Sequence, residues 1–359
     1  MNNKSIGIVG GGISGVACAL FLIKQYPDIH IDIFEKNDKL LKKIYATGNG
    51  KCNFANSDEL IGKYKNEDFV LPIIKEFGYK ELNTYLNSIG VATKLVGNLA
   101  YPYSETALTV ANALLKELNY PNIKIHLMIE VLDYQNTTLL TNLGAFSFDK
   151  VIFTSGGKSS PQLGSNGVLF SLFKKHGYEL EECFPSLCPI KVKENVKRLD
   201  GLRNKVVASL YQDHKLIHQE DGELLFKKDG LSGIVIFNLT AYINRLKNKH
   251  NIVIEIDFAK GQEVNDYESY LHPVIAKYLL DNHLDIHHTK FHFKDFYPFN
   301  NAQVTSGGIK LNIVSNDLDS KLESNIYFAG EVLDVDAVCG GYNIMWAFAS
   351  AYHLAKNIK

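Results

Sequence analysis

The chain has 359 residues, of which 46% are hydrophobic and 21% are charged, as expected of a folded protein with two or three domains. A formal net charge of −1 excludes a strong overall field that would attract nucleic acid or anionic lipid. No apolar run is long enough to cross a bilayer, and the N-terminus lacks a signal-peptide pattern. The five cysteines contain no CxxC pair, which fits a reducing compartment. We therefore expect a cytoplasmic protein without a membrane partner.

Residues 5–35 carry the most informative pattern: an apolar run, a glycine-rich turn, an alanine- and leucine-rich helix, and a second apolar run. In such a turn Gly10 permits the tight bend, Gly12 lets a pyrophosphate approach the backbone, and Gly15 lets the helix pack closely on the strand. The phosphates would lie at the helix N-terminus, and the Glu35 carboxylate would accept hydrogen bonds from ribose hydroxyls. The pattern predicts a dinucleotide-binding βαβ unit but leaves NAD and FAD as alternatives.

Further elements follow from hydrophobic periodicity and turn residues. The first half of the chain is predicted to contain a short helical turn and loop at 36–56, a helix over 68–90, a helix over 105–119 capped by Ser104, a strand over 123–134, and an apolar strand that breaks into paired glycines over 150–157. The second half is predicted to contain β-type segments over 188–237, including GIVIFN at 233–238, a mainly helical stretch over 238–283, strands over 284–312, and a last buried strand at 326–330.

This order of elements predicts an α/β fold with an interrupted Rossmann-type FAD-binding domain of the glutathione-reductase kind. Its two parts are residues 1–187 and 313–359. A small β-barrel-like domain, formed by 188–237 and 284–312, and a short helical insert at 238–283 are expected to lie between them in sequence.

A second motif, at residues 325–355, distinguishes between the two cofactors. A buried strand ends at Gly330, Glu331 follows at once, and glycines at 340 and 341 open a final apolar helix. In FAD enzymes of the glutathione-reductase type, the acid binds a ribityl hydroxyl, and the helix N-terminus stabilises the anionic reduced flavin. NAD dehydrogenases have no such C-terminal counterpart. The sequence thus predicts FAD, bound non-covalently because no His or Cys lies in a recognisable flavin-linkage context.

With these motifs the chain resembles the bacterial flavoprotein family that includes aminoacetone oxidase and the BaiN-type bile-acid enone reductases. The resemblance covers nearly the whole chain and rests on five blocks, at residues 10–15, 46–56, 154–167, 223–233 and 302–343. The first block alone is generic, whereas the second and the last together are specific. The middle helical insert is shorter here than is usual in the family, so substrate identity is not carried over.

The resemblance also implies a set of cofactor-binding residues. Those expected at the pyrophosphate and the adenosine ribose are Gly10, Gly12, Ile13, Ser14, Gly15 and Glu35. Those expected to wrap the FAD and reach its ring are Lys36, Lys43, Thr47, Gly48, Asn49, Gly50, Cys52 and Asn53. Val131 would hold the adenine through its backbone. The diphosphate would lie near Thr154, Ser155, Gly156 and Gly157, and the ribityl chain and flavin would contact Gly330, Glu331, Gly341, Tyr342, Asn343 and Ile344.

The resulting hypothesis is an FAD-dependent oxidoreductase that uses NAD(P)H to reduce a conjugated C=C bond of a small molecule. The sequence has no second GxGxxG motif, but the transient NAD(P)H site of a flavin reductase does not require one. One alternative is an oxygen-using oxidase of a small amine such as aminoacetone. Another is reduction of a uridine in ribosomal RNA, against which the near-neutral charge argues. The sequence assigns no catalytic side chain, and it leaves the choice of NADH or NADPH and the oligomeric state open.

Four histidines occur close together at positions 283, 287, 288 and 292. Their spacing suits a metal on a helix, but HHTKFHF alternates like a strand, and no carboxylate or cysteine completes a ligand set. We therefore expect no metal site.

Overall fold

The structure is a computed structural model that describes residues 4–359, except for the side chains of residues 48 and 49. The strands are β1 (Ser5–Val9), β2 (His30–Glu35), β3 (Ala55–Asn56), β4 (Thr93–Val96), β5 (Leu99–Pro102), β6 (Ile123–Leu127), β7 (Val131–Gln135), β8 (Thr138–Thr141), β9 (Gly144–Ser147), β10 (Lys150–Phe153), β11 (Leu180–Ser186), β12 (Ile190–Val192), β13 (Arg203–Gln212), β14 (Lys215–Lys227), β15 (Gly230–Ser232), β16 (Ile252–Asp257), β17 (Thr289–Phe296), β18 (Val304–Ile309) and β19 (Ile326–Phe328). The helices are α1 (Ile13–Gln25), α2 (Lys42–Tyr45), α3 (Glu67–Glu76), α4 (Tyr79–Ser88), α5 (Ala107–Glu117), α6 (Val168–Lys175), α7 (Ile234–Arg245), α8 (Tyr267–Tyr270), α9 (Pro273–Asp281) and α10 (Tyr342–Asn357).

The chain forms two compact units. Unit 1 comprises the chain up to Cys183 together with Val304–Lys359, and unit 2 is Phe184–Gln303. The predicted boundary after residue 187 lies inside unit 2, and the one before residue 313 lies in unit 1. Unit 2 thus holds the predicted helical insert and the predicted β domain as far as Gln303.

A five-stranded parallel sheet forms the core of unit 1, in the order β19-β10-β1-β2-β6. The central strands bury apolar residues on both faces: Ile6, Ile8, Ile31 and Ile33 on one face, and Val9, Phe34 and Phe153 on the other, as in sheets covered on two sides. In the ladder Val9 pairs with Phe34 and with Phe153. Because Phe153 pairs in turn with Phe328 of β19, four strands end level with one another. The predicted cofactor segments after β1, β2, β10 and β19 therefore start at one carboxyl edge of the sheet, where α/β folds bind nucleotides.

Unit 2 is a closed antiparallel barrel with strand order β12-β15-β14-β13-β16-β17. Its core contains barrel residues such as Phe226, Ile254 and Phe291, together with apolar residues of α7 and α9. Barrel closure leaves no free sheet edge among these six strands. The predicted α/β fold class, with a Rossmann-type domain and a barrel-like domain, is confirmed.

Three predicted elements in unit 1 differ from the structure. The helix predicted over 68–90 is two helices, because Gly78 between α3 and α4 is extended (φ −96°, ψ −152°) and its N–H donates to Glu81. The helix α5 is capped by Thr106, whose hydroxyl accepts from the N–H of Leu108, and not by Ser104. The strand predicted over 123–134 is broken at Met128, which adopts a left-handed conformation (φ 59°).

Two predictions in unit 2 were also wrong in part. The apolar run GIVIFN is not a strand: Gly233 (φ +93°) turns the chain, and residues from Ile234 onward form α7. A short apolar run of β-branched residues does not distinguish a strand from a buried helix. The stretch 238–283, predicted to be mainly helical, also contains β16, which pairs with β13 and β17 to complete the barrel.

Candidate functional site

The three glycines of the first motif have different structural roles. Gly10 has a positive φ of +112°, and a Cβ there would lie 2.6 Å from the carbonyl oxygen of Thr154. At Gly15 a Cβ would lie 1.9 Å from the Gly10 oxygen, so both positions exclude side chains within the fold itself. Gly12 differs: its backbone is extended (φ −74°, ψ −171°), and a Cβ would meet no described atom within 4 Å. No described contact of the fold therefore requires a glycine at position 12. The space beside Gly12 is the open cradle that a bound pyrophosphate requires.

Helix α1 starts directly after this cradle. Its first turn, Ile13 to Val16, carries no acidic side chain, and Gly12 at its N-cap offers no capping side chain. The first N–H groups of a helix have no partner within the helix, and the helix dipole places positive charge there. Ile13 is partly exposed, whereas Ser14 is buried. A Cβ at Gly330 would lie 2.0 Å from the Ser14 hydroxyl oxygen, so this hydroxyl lies against Gly330.

Glu35 ends β2 with its carboxylate held by three hydrogen bonds. Oε2 accepts from the N–H of Gly11 at 2.8 Å. Oε1 accepts from the backbone N–H of Asn37 at 2.8 Å and from the Asn37 side-chain amide at 2.6 Å. The side chain is buried beside the glycine turn, and a Cβ at Gly11 would lie 3.1 Å from Oε2. The acid predicted for the ribose is therefore fixed at the glycine-rich turn.

Val131, predicted at the adenine, and Lys36, predicted to wrap the FAD, lie near the end of β2. Val131 is buried in β7, where it pairs with Thr141. The Lys36 ammonium donates to Asn166 Oδ1 at 2.7 Å. Burial lowers the pKa of Lys36, and nearby Glu130 and Glu35 oppose that effect.

The segment Thr154–Gly157 braces the glycine turn from β10. The Thr154 hydroxyl donates to the carbonyl oxygens of Val9 and Gly10, at 3.1 and 2.8 Å. Ser155 is partly exposed and Gly156 has a positive φ of +69°. A Cβ at Gly157 would lie 2.3 Å from Thr305 Oγ1. This segment therefore packs between the turn after β1 and strand β18.

The loop from Lys43 to Asn53 combines a local side-chain hydrogen bond, a glycine with positive φ and a buried cysteine. The Thr47 hydroxyl donates to the Ile44 oxygen at 2.6 Å, and Gly50 has a positive φ of +85°. Cys52 is fully buried, and burial raises the pKa of its thiol to about 11, so the thiol is protonated at neutral pH. Gly48 and the side chain of Asn49, also predicted to wrap the FAD, lie outside the described residues.

Asn53 was expected to face the flavin ring. With its amide oriented to satisfy its neighbours, Nδ2 donates to the carbonyl oxygens of Ala55 at 2.9 Å and of Ala100 at 3.1 Å. The described contacts of Asn53 thus secure the turn before β3.

The Glu331 carboxylate connects three segments of unit 1. Oε1 accepts from the Thr305 N–H at 2.7 Å, and Oε2 accepts from the Lys43 ammonium at 2.8 Å. The buried Thr305 hydroxyl in turn accepts from the N–H groups of Lys158 and Ser159. The charge of Glu331 is therefore balanced by Lys43, one of the residues predicted to wrap the cofactor.

The segment before α10 is a tight glycine turn. Gly341 has a positive φ of +91°, and a Cβ there would lie 2.5 Å from the Ala55 nitrogen. The Asn343 amide makes two hydrogen bonds with Ala337, accepting from its N–H and donating to its carbonyl oxygen, both at 3.0 Å. Tyr342 is buried and its carbonyl oxygen accepts from Tyr64. Like α1, α10 has no acid in its first turn, where Ile344 is partly exposed.

Gly330 is anchored to α10 by its backbone. Its N–H donates to the Ser350 hydroxyl at 3.0 Å, and its carbonyl oxygen accepts from the Trp346 indole at 3.2 Å. The structure thus places the predicted residues of β1, β10 and β19 in mutual contact and connects the Lys43 loop to them through Glu331.

Four residues of this region were not predicted from the sequence: Gly11, Asn37, Asn166 and Thr305. Gly11 and Asn37 lie next to predicted residues, and this position was the one indication in the sequence of their place in the site. Asn166 and Thr305 belong to two of the family-like blocks, but a hydroxyl or amide in a loop has no periodicity that indicates its partner.

The histidine cluster lies in unit 2. His287 contacts Asp257 at 3.0 Å, His288 contacts Glu255 at 3.3 Å and His292 contacts Glu194 at 2.6 Å. Each of these three histidines thus contacts a different carboxylate. Among residues 4–359 as described, no group of three or more His, Cys, Asp or Glu side chains is placed to hold a metal ion.

Within the described part of the chain, no helix is both long and apolar enough to cross a membrane.

Comparison with known proteins gives one family match over nearly the whole chain. The family model described as "HI0933-like protein Rossmann domain" matches residues 4–357. The chain is 29% identical to the 3-dehydro-bile acid delta(4,6)-reductase of Clostridium scindens, an alignment that covers 97% of each protein. It is 27% identical to a ribosomal RNA dihydrouridine synthase of Haemophilus influenzae, covering 98% of this chain and 97% of the relative.

Solved structures resemble this chain at the level of the fold. The FrdA subunit of Escherichia coli quinol fumarate reductase matches with a TM-score of 0.55 and 11% identity, over 99% of this chain and 70% of that one. A 3-ketosteroid-delta4-(5alpha)-dehydrogenase from Rhodococcus jostii matches with a TM-score of 0.50 and 10% identity, over 100% and 97% of the two chains.

Proposed function

The chain belongs to the HI0933-like Rossmann family, and from this premise we propose that it is an FAD-dependent oxidoreductase that reduces a conjugated C=C bond with electrons from NAD(P)H. The observation that carries the proposal is the carboxyl edge of the parallel sheet. There, Gly12 keeps open a cradle at the start of α1, and Glu35 is held at the end of the neighbouring strand. This combination fits an adenine dinucleotide.

The C-terminal segment favours FAD over NAD. Glu331 comes three residues after the end of β19, and α10 begins after two glycines without an acid in its first turn. The positive end of the α10 dipole is suited to the negative charge of a reduced flavin. Gly12 and the first turn of α1 would hold the pyrophosphate, Glu35 a ribose hydroxyl, and Glu331 a ribityl hydroxyl. When bound, FAD supplies hydride transfer between NAD(P)H and a carbon–carbon double bond.

The substrate class follows from the bile-acid reductase relative, which aligns over almost its full length. As a delta(4,6)-reductase of a 3-dehydro-bile acid, that relative acts on double bonds in conjugation with the ketone at position 3. We therefore assign a small-molecule enone or dienone as the substrate of this chain. We infer that the protein acts in the cytoplasm, because five cysteines without a CxxC pair are typical of a reducing compartment.

The test is a two-step anaerobic experiment with purified flavin-loaded protein. NADH or NADPH should bleach the visible flavin absorbance, and a conjugated 3-oxo steroid acid should restore it faster than a saturated analogue does. Restoration by air alone, after reduction by a small amine and not by NAD(P)H, would overturn the reductase assignment in favour of an oxidase. Reoxidation only by a uridine-containing ribosomal RNA fragment would overturn it in favour of RNA modification.

A further inference from the structure

The hydrogen bonds around Glu35 leave its carboxylate little freedom. An ionised carboxylate offers about four acceptor positions. Three are used, two on Oε1 by the backbone and side chain of Asn37 and one on Oε2 by the N–H of Gly11. The open position is therefore on Oε2, the oxygen next to the glycine-rich turn. Asn37 determines this outcome, since among the described residues it alone donates hydrogen bonds to Oε1.

Asn37 is itself fixed by the loop at residues 163–166, which follows the β10 segment. Its side-chain amide also lies 3.5 Å from the Leu163 carbonyl oxygen. Gly164 has a positive φ of +105°, and a Cβ there would lie 2.2 Å from Asn37 Nδ2. The same loop is joined to the end of β2 by the hydrogen bond from Lys36 to Asn166. Asn166 Oδ1 also accepts from Val168 at the start of α6, so the loop has a fixed support.

We propose that Asn37 is a positioning residue for the adenosine ribose, and that the 163–166 loop holds it in place. Asn37 occupies Oε1 so that Oε2 of Glu35 presents one acceptor to a ribose hydroxyl. Gly164 is required because its missing side chain makes room for the Asn37 amide. The proposal rests on the proposed FAD site, and it concerns affinity for the adenosine half of the cofactor.

The test uses the full chain stripped of flavin, titrated with FAD, ADP and 2′,3′-dideoxy-ADP. Asn37→Ala should weaken FAD and ADP binding by roughly tenfold, the effect of one hydrogen bond to a charged group. It should leave binding of 2′,3′-dideoxy-ADP unchanged, because that ligand lacks the hydroxyls. The matched control is Asn122→Ala, since the Asn122 amide donates to the Pro27 and Ile29 oxygens before the opposite end of β2.

A second pair of variants tests the loop. Gly164→Ala should reproduce the selective loss, because its Cβ would displace the Asn37 amide. Gly177→Ala is the control, with a similar positive φ of +86° but no described atom within 4 Å of its Cβ. Because both positions have a positive φ, a loss of ADP binding that spares 2′,3′-dideoxy-ADP and occurs only in Gly164→Ala reports the contact with Asn37.

Two results would overturn the positioning role: wild-type affinity for ADP in both Asn37→Ala and Gly164→Ala, or an equal loss for ADP and dideoxy-ADP. Equal loss with a lower melting temperature would mean that Asn37 only stabilises the fold. Absence of FAD and ADP binding by the unaltered chain would instead count against the proposed function, so the two failures are distinguishable.

Discussion

At the scale of single residues, the glycine-rich turn separates positions required by the fold from positions available to a ligand. The fold excludes side chains at Gly10 and Gly15, because a Cβ would overlap the Thr154 oxygen at Gly10 and the Gly10 oxygen at Gly15. Gly12 has an ordinary extended backbone and open space above it. The motif thus combines two glycines that the fold requires with one, Gly12, that only nucleotide binding requires.

This difference predicts opposite behaviour for two valine variants. Gly12→Val should keep the melting temperature of the flavin-free protein and lose FAD, because the new side chain fills the cradle. Gly15→Val should lower the melting temperature sharply or prevent folding, because its Cβ would overlap the Gly10 oxygen. Thermal melts and FAD titration of both variants provide the comparison. Normal flavin content in folded Gly12→Val protein would show that the pyrophosphate lies elsewhere.

Glu331 gives a second prediction at this scale. Glu331→Gln retains an acceptor for the Thr305 N–H but removes the charge opposite Lys43. We expect FAD affinity to fall roughly ten- to a hundredfold, the effect of a hydrogen bond to a charged group. Asp334→Asn is the matched control, because Asp334 also pairs with a lysine, Lys65, at 2.6 Å. A lower melting temperature with unchanged FAD affinity would mean that Glu331 only joins Lys43 to Thr305.

Residue roles were predictable from the sequence only where the fold imposes them. The glycines and Glu35 have a fixed spacing in the βαβ unit, so their positions could be inferred. The main-chain partners of Asn53 and Asn343 could not, because an amide in a loop bonds whichever carbonyl the fold brings near. For the same reason Asn37 gave no signal apart from its place two residues after Glu35.

At the scale of elements, the parallel sheet was readable and several connections were not. Short runs such as Ile6 to Val9 are apolar throughout and lie between clear turn signals, which identifies buried strands. The break between α3 and α4 occurs at one glycine inside a continuous apolar periodicity, so the sequence indicated one helix. The apolar run after Gly233 is equally compatible with a strand and a helix until its packing against β14 is known.

One contact between elements predicts a pH-dependent stability. Asp133 on β7 accepts from Lys175 at 2.5 Å and from His176 at 3.0 Å, both at the end of α6. The Lys175 ammonium, and after it His176, hold the pKa of Asp133 below its usual range. A carboxylate with a lowered folded pKa stabilises the protein at neutral pH, and this contribution is lost as the pH falls below about 4.

Asp133→Asn should therefore lower the melting temperature at pH 7 by roughly 1–3 °C, since the pair is partly exposed. The difference from the unaltered protein should shrink as the pH is lowered below about 4. Glu179→Gln serves as the control, because the distance to its partner Lys310 is longer, at 3.5 Å, and its carboxylate is more exposed than that of Asp133. A difference that stays constant down to pH 3 would rule out the ionic contribution of Asp133.

At the scale of the whole molecule, the family assignment and the fold class were correct from sequence alone. The family model covers residues 4–357, and the two compact units agree with a Rossmann-type unit interrupted by a barrel. The separate helical insert was not correct as an independent element, because β16 inside it is a barrel strand. Long-range antiparallel pairing is set by the partner strand, which local sequence does not specify.

The central claim is that the chain binds FAD without a covalent bond, and one measurement tests it most directly. The purified protein is heated or acidified, the precipitate is removed, and the released flavin is identified and quantified by chromatography against protein concentration. The account predicts a yellow protein that releases close to one equivalent of FAD per chain, with no flavin left on the polypeptide. A folded, colourless protein that also fails to bind added FAD would contradict it.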